Sequence, residues 1–139
     1  RRECGNGRRG PSWFRPGDIF SMDGHVWLCI GPCRDGSIVI AHSTPSSSKT
    51  DCKGGGVQLS ALNPARDADK DCQAYRLAER FMQRYPRWSA RYQVQLLPYS
   101  VYGKLSENPH TGLFQWNDFL SDKEGVRGQF AEEILQIEN

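Results

Sequence analysis

Two β-rich runs separated by one short turn limit the folds open to this chain more than any other feature. HVWLCIG begins at His25 and SIVIAH ends at His42, with Gly31-Pro32-Cys33-Arg34-Asp35-Gly36 between them. Their β-branched, aromatic and aliphatic content suits strands, and a short Gly-containing connection makes them a hairpin. The symmetrical register sets Cys29 against Ile38, Trp27 against Ile40 and His25 against His42. Because side chains alternate along a strand, all six then point to one face. Directly opposed Cβ atoms lie about 4.5–5.5 Å apart, so this register makes the two imidazoles neighbours.

The flanking sequence extends that hairpin into an α+β domain. Pro16-Gly17-Asp18 reads as a tight turn opening a strand at Ile19-Phe20-Ser21-Met22, and Asp23-Gly24 turns the chain into the hairpin. Val57-Gln58-Leu59-Ser60 alternates and continues the sheet. A helix is expected from the acidic cluster Asp67, Asp69 and Asp71, which suits a helix N-terminus, to Pro86, which stops it. Ala74, Ala78, Phe81, Met82 and Tyr85 form its apolar stripe, flanked by Tyr75, and pack on the sheet. The aromatic stretch from Trp88 to Phe119 is turn-rich and predicts no regular structure, while QFAEEILQIE over Gln129–Glu138 predicts a closing amphipathic helix. The organisation is a single domain over 1–139: an arm over 1–15, a sheet core over 16–62 and a helical and aromatic extension over 63–139. The segment STPSSSKTDCKGGG over 43–56 is a polar surface loop by composition.

Composition excludes several classes of function. A formal charge of +2 is too small for a nucleic-acid binder, and Arg1, Arg2, Arg8, Arg9 and Arg15 cluster in a Gly- and Pro-rich arm. No apolar run reaches the roughly 18–20 residues of a membrane span. The opening residues lack the basic-then-apolar order of a signal peptide, so a trimmed piece of a longer protein is expected. Cys4, Cys29, Cys33, Cys52 and Cys72 are odd in number, leaving at least one thiol free or paired outside the chain. His25, Cys29 and Cys33 are spaced like metal ligands, but strand and turn positions keep their side chains from converging. No metal and no cofactor is expected.

The chemistry therefore rests on the histidines. A cysteine hydrolase needs a thiolate, a histidine to take and return its proton, and a polar group to hold that histidine in the right tautomer. His25 suits the general base and His42 its orienting partner. Trp27 and Ser43 are candidates to line a substrate groove. His110, in ENPHTG, reads as a solvated turn residue, and Glu132 and Glu133 as a solvated helix face.

PGDIF, GHVWLCIG and IVIAHSTP, in that order, resemble the core of the NlpC-type cell-wall peptidases, over about residues 16–62. The resemblance implies a papain-like α+β core with a small antiparallel sheet and a packed helix. It also implies hydrolysis of peptide bonds in peptidoglycan stem peptides through a cysteine thioester, at a secreted or cell-surface bacterial site. His25 and His42 take the family's two polar positions. The family's Asp-Cys-Ser-Gly-like nucleophile motif, at the start of a helix upstream, has no match here. Cys4 is the only upstream cysteine, and Gly-Asn-Gly-Arg-Arg-Gly-Pro follows it; Cys52 has an Asp-Cys pair but falls after the histidines. Three explanations stand: a separate or removed N-terminal nucleophile segment, a degenerate site that binds cell-wall peptide or glycan without cutting, or an unusual placement of Cys4.

Overall fold

A computed structural model describes residues 14–44, 55–103, 111–115 and 121–137. The fold is mixed α+β, built on a six-stranded sheet. In chain order the elements are β1 (Ile19–Met22), β2 (His25–Pro32), β3 (Ile38–Thr44), β4 (Gly56–Leu62), α1 (Gln73–Gln83), α2 (Pro86–Arg91), β5 (Leu96–Leu97), α3 (Tyr99–Tyr102), β6 (Gly112–Phe114) and α4 (Ala131–Leu135). Spatial order across the sheet is β5-β4-β3-β2-β1-β6. All neighbours run antiparallel except β4 and β5, which are parallel. Among the described residues no helix is long and apolar enough to cross a membrane.

Both faces of the sheet carry a core, and strand alternation assigns the residues. On one face Val39, Leu59 and Ala61 pack against Ala74, Leu77, Ala78 and Met82 of α1 and Ala131 and Leu135 of α4. Burying a side chain such as Leu77 contributes about 1.5–3 kcal/mol, so this stripe holds α1 in place. On the other face Phe20, Trp27, Cys29, Ile38, Ile40 and Leu62 pack with Phe14 and Leu97, closed over by Tyr99, Tyr102 and Leu113. Phe14, assigned to a surface arm from the Gly- and Pro-rich composition, is thus a core residue; its ring lies 5.2 Å from that of Trp27.

The Pro16-Gly17-Asp18 turn forms as expected, with Gly17 at φ 94. Its aspartate does more than turn the chain. Asp18 is wholly buried and accepts from the Arg127 guanidinium at 2.7 Å, from the Gln115 amide at 3.0 Å and from the Arg15 backbone at 2.9 Å. Arg127, from the short 3-10 turn Val126–Gly128, also donates to the Pro16 carbonyl, so the start of the sheet is tied to a distant part of the chain.

Other expectations need correction. The acidic cluster lies before α1, whose first turn contains no acidic residue. Asp71 pairs instead with Arg76, and the Asp67 carboxylate accepts from the backbone of Tyr99 and the hydroxyl of Ser100. The N-terminus of α1 is capped from the hairpin turn: Asp35 accepts from the Gln73 amide at 2.8 Å and Ser37 from the Ala74 amide at 2.9 Å. Pro86 ends α1 by starting α2, where it occupies the first turn and lacks no bond that the helix needs. The aromatic stretch expected to be irregular holds α2, β5, α3 and β6. The closing helix spans only Ala131–Leu135, because Gln136 adopts a left-handed φ of 57 and turns the buried Ile137 back onto the core.

Candidate functional site

The β2–β3 hairpin forms, but its register is two residues away from the symmetrical one. Trp27 opposes His42 and Cys29 opposes Ile40, while Gly31 opposes Val39 and Pro32 opposes Ile38. The reason is that β2 continues to Pro32 and carries a β-bulge between Cys29 and Gly31, which lets the chain turn at Cys33–Gly36. A displacement by two keeps every side chain on its face. His25 and His42 are therefore diagonal neighbours on one face, with ring centroids 5.5 Å apart and an interplanar angle of 74°.

The two rings differ in environment. His42 is buried at 7% exposure, on the central strand β3. Burial first, and the adjacent His25 second, push its pKa from 6.5 down to about 4, so it is neutral at physiological pH. Its Nε2 lies 2.9 Å from Ser60 Oγ. That oxygen already accepts from the Gln58 side-chain amide at 3.2 Å and the Gln95 backbone amide at 3.3 Å. With both lone pairs engaged, the hydroxyl donates its proton to His42 Nε2, which places the His42 proton on Nδ1. Gln58 is oriented by donating to the Gln93 carbonyl at 2.7 Å. His42 thus ends a polar chain reaching from β3 through β4 to the segment before β5.

His25, the first residue of β2, is half-buried against Tyr102, whose ring centroid is 5.6 Å away. Tyr102 is anchored because its carbonyl accepts from the Trp27 indole at 3.0 Å. His25 Nε2 is enclosed and has no hydrogen-bond partner among the described residues. Leaving such an atom unpaired costs about 1–3 kcal/mol. His25 is thus the more exposed ring of the pair, and His42 the buried and hydrogen-bonded one.

Of the remaining candidates, Trp27 lies beside the pair, opposite His42, and Ser43 lies on the other face. Trp27 is 1% exposed, stacked on Phe20 at 5.2 Å, and offers its ring to the core. Ser43 is exposed but projects to the face opposite His42, as alternation requires. It helps to line a groove of about 420 Å³ that Trp27 and His42 also border, with Ile19, Val26, Leu28, Ala41 and Val57. Cys4 and Cys52 lie outside the described residues, as does His110.

In the folded protein the described thiols are held away from the thiolate form. Cys29, Cys33 and Cys72 are all buried. Burial, then the Asp18 charge, raises the Cys29 pKa well above its usual value, and burial pushes Cys33 up to about 12 and raises Cys72 as well. Among the described residues no three His, Cys, Asp or Glu side chains converge on a possible metal position.

Ser60, Gln58 and Tyr102 belong to the site and were not singled out from sequence. The alternation Val57-Gln58-Leu59-Ser60 continues the sheet, and Gln58 and Ser60 are both fully buried because the second face of the sheet is covered too. Tyr102 stood in the stretch where no element was expected. Comparisons of the chain with family models, with curated proteins and with solved structures give no match.

Proposed function

We propose that this chain carries the histidine half of a cysteine-hydrolase site of NlpC type, acting on peptide bonds of bacterial cell-wall stem peptides at a secreted or cell-surface location. The observation that carries the reading is the His25–His42 pair: rings 5.5 Å apart on one sheet face, one neutral and hydrogen-bonded to Ser60, the other half-open. In this reading His25 takes the proton of a cysteine thiol, the thiolate attacks the scissile carbonyl, and His25 returns the proton to the leaving amine. Water then hydrolyses the thioester with His25 as base again. His42 and Tyr102 hold the His25 ring, and Ser60 holds His42.

In its simplest form the nucleophile is the cysteine of a preceding or separate segment of the same protein; Cys4 is the candidate within this chain. The ordered series Pro16-Gly17-Asp18, His25-Val26 and His42 supports this family; a papain-like core is part of the same proposal. One observation favours a second reading. Every described thiol is buried with a raised pKa, which suits a noncatalytic module that binds cell-wall peptide or glycan in place of cutting it.

Thiol labelling tests the enzyme reading. A thiol-directed epoxide applied to the native protein is expected to label one cysteine quickly, outside Cys29, Cys33 and Cys72. Replacing His25 with Ala should slow that labelling at least tenfold while leaving the melting temperature within a few degrees. Equal rates in the two proteins sink the hydrolase proposal. Retention of purified peptidoglycan without release of new amino groups would then support the binding module.

A further inference from the structure

The segments that carry Cys33 and Cys72 meet in the folded protein, and both residues belong to the core on the α1 side of the sheet. Cys33 opens the hairpin turn, where its amide donates to the Ser37 carbonyl at 2.7 Å. Cys72 is the N-cap residue of α1, with no side-chain cap of its own. The turn and the helix end are clamped by three hydrogen bonds, Gln73 amide to Asp35 at 2.8 Å, Asp35 amide to the Gln73 side chain at 2.9 Å and Ala74 amide to Ser37 Oγ at 2.9 Å, while the Ser37 amide donates to Asp35 at 2.9 Å within the turn. Both cysteines are buried in one apolar cluster, at 3% and 2% exposure.

We propose that Cys33 and Cys72 form a disulfide that staples the β2–β3 turn to the start of α1 when the chain folds in an oxidising compartment. The clamp already holds the two cysteine-bearing segments together, so closing the bond calls for rotation of the two side chains and not for a rearrangement of either segment. The oxidant is a disulfide, of a small molecule or of a thiol oxidase. The thiolate of Cys72 attacks one oxidant sulfur, releasing the other as a thiolate and forming a mixed disulfide. The thiolate of Cys33 then attacks the Cys72 sulfur and displaces the second half of the oxidant. Two protein thiols lose two protons and two electrons in all, and one oxidant disulfide becomes two thiols. Burial of both sulfurs favours the step during folding, before the cluster closes, and protects the bond afterwards. The staple does not depend on the hydrolase reading. It leaves Cys29, sealed in the opposite core, as the unpaired thiol among the described residues.

Peptide mapping tests the proposal on the unmodified chain. The protein is refolded with oxidised glutathione, alkylated and digested with trypsin without reduction. The peptide Asp71–Arg76 is expected to run joined through Cys72 to the peptide carrying Cys29 and Cys33, with fragmentation assigning the bond to Cys33. Alkylated Cys72, or Cys72 bonded to Cys4, Cys29 or Cys52, overturns the proposal. Closing a loop of about 40 residues should also raise the melting temperature by about 10 °C, a gain that reductant removes. A melting temperature that ignores reductant counts equally against it. If a Cys33→Ala/Cys72→Ala variant folds, its melting temperature should not respond to reductant; if it does not fold, the mapping still decides.

Discussion

Replacing Arg127 with Met leaves the Asp18 carboxylate wholly buried without its ionic partner. The pair is 2.7 Å long with side-chain exposures of 6% and 0%, so solvent gives little relief. Removing one member of such a pair costs about 3–5 kcal/mol, much of it the penalty of an uncompensated buried charge. The Gln115 and Arg15 donors remain on the carboxylate, which places the expected loss toward the lower end, about 3 kcal/mol. A chain of this length has roughly 7–20 kcal/mol of stability in all, so the variant should fold but unfold at distinctly lower urea concentration. Asp18→Asn should lose a similar amount, because the Arg127 guanidinium then loses the carboxylate to which it donates at 2.7 Å. The double variant removes both charges and should recover at least about 1 kcal/mol relative to the sum of the single losses. Urea unfolding followed by tryptophan fluorescence measures all four proteins, Trp27 being in the adjoining core. Single losses below about 1 kcal/mol, or strict additivity in the double variant, would refute the view that this pair ties the first turn to the C-terminal segment.

The remaining predictions concern the histidine face and the bulge. His42 stays neutral in the folded protein down to about pH 4, while a histidine in the unfolded chain takes up its proton near 6.5. The unfolded state binds more protons between those values, so His42 contributes stability that is present above pH 6.5 and lost as the pH falls toward 4. The loss should be about 1–2 kcal/mol after discounting for partial solvent screening, and urea titrations at several pH values should show it absent from His42→Gln. Gly31→Ala places a Cβ 3.0 Å from the Ala131 nitrogen and 3.1 Å from its Cα, both backbone atoms. Pushing α4 off the sheet should cost about 1–3 kcal/mol, and a melting temperature equal to that of the unsubstituted chain would show that α4 yields freely.

What the sequence by itself determined was local: strands where β-branched and aromatic residues run together, a turn at Pro16-Gly17-Asp18, a helix ended near Pro86, and two histidines sharing a face. Those conclusions depend on backbone preferences and side-chain alternation, which act over a few residues and are written in the residues themselves. Register was decided by the bulge after Cys29, which no short-range pattern announces, since an extra residue in one strand changes pairing without changing composition. The burial of Gln58 and Ser60 was likewise decided by packing, because alternation says which side chains share a face but not whether that face is covered. Asp18 meets Arg127 from more than a hundred residues away, and α1 is capped by Asp35 and Ser37 rather than by its own acidic flank. These are contacts between parts of the chain that only the folded sheet brings together. So is the setting that makes His42 neutral and leaves His25 open: the residue types were legible at once, but their different exposure comes from their neighbours in space.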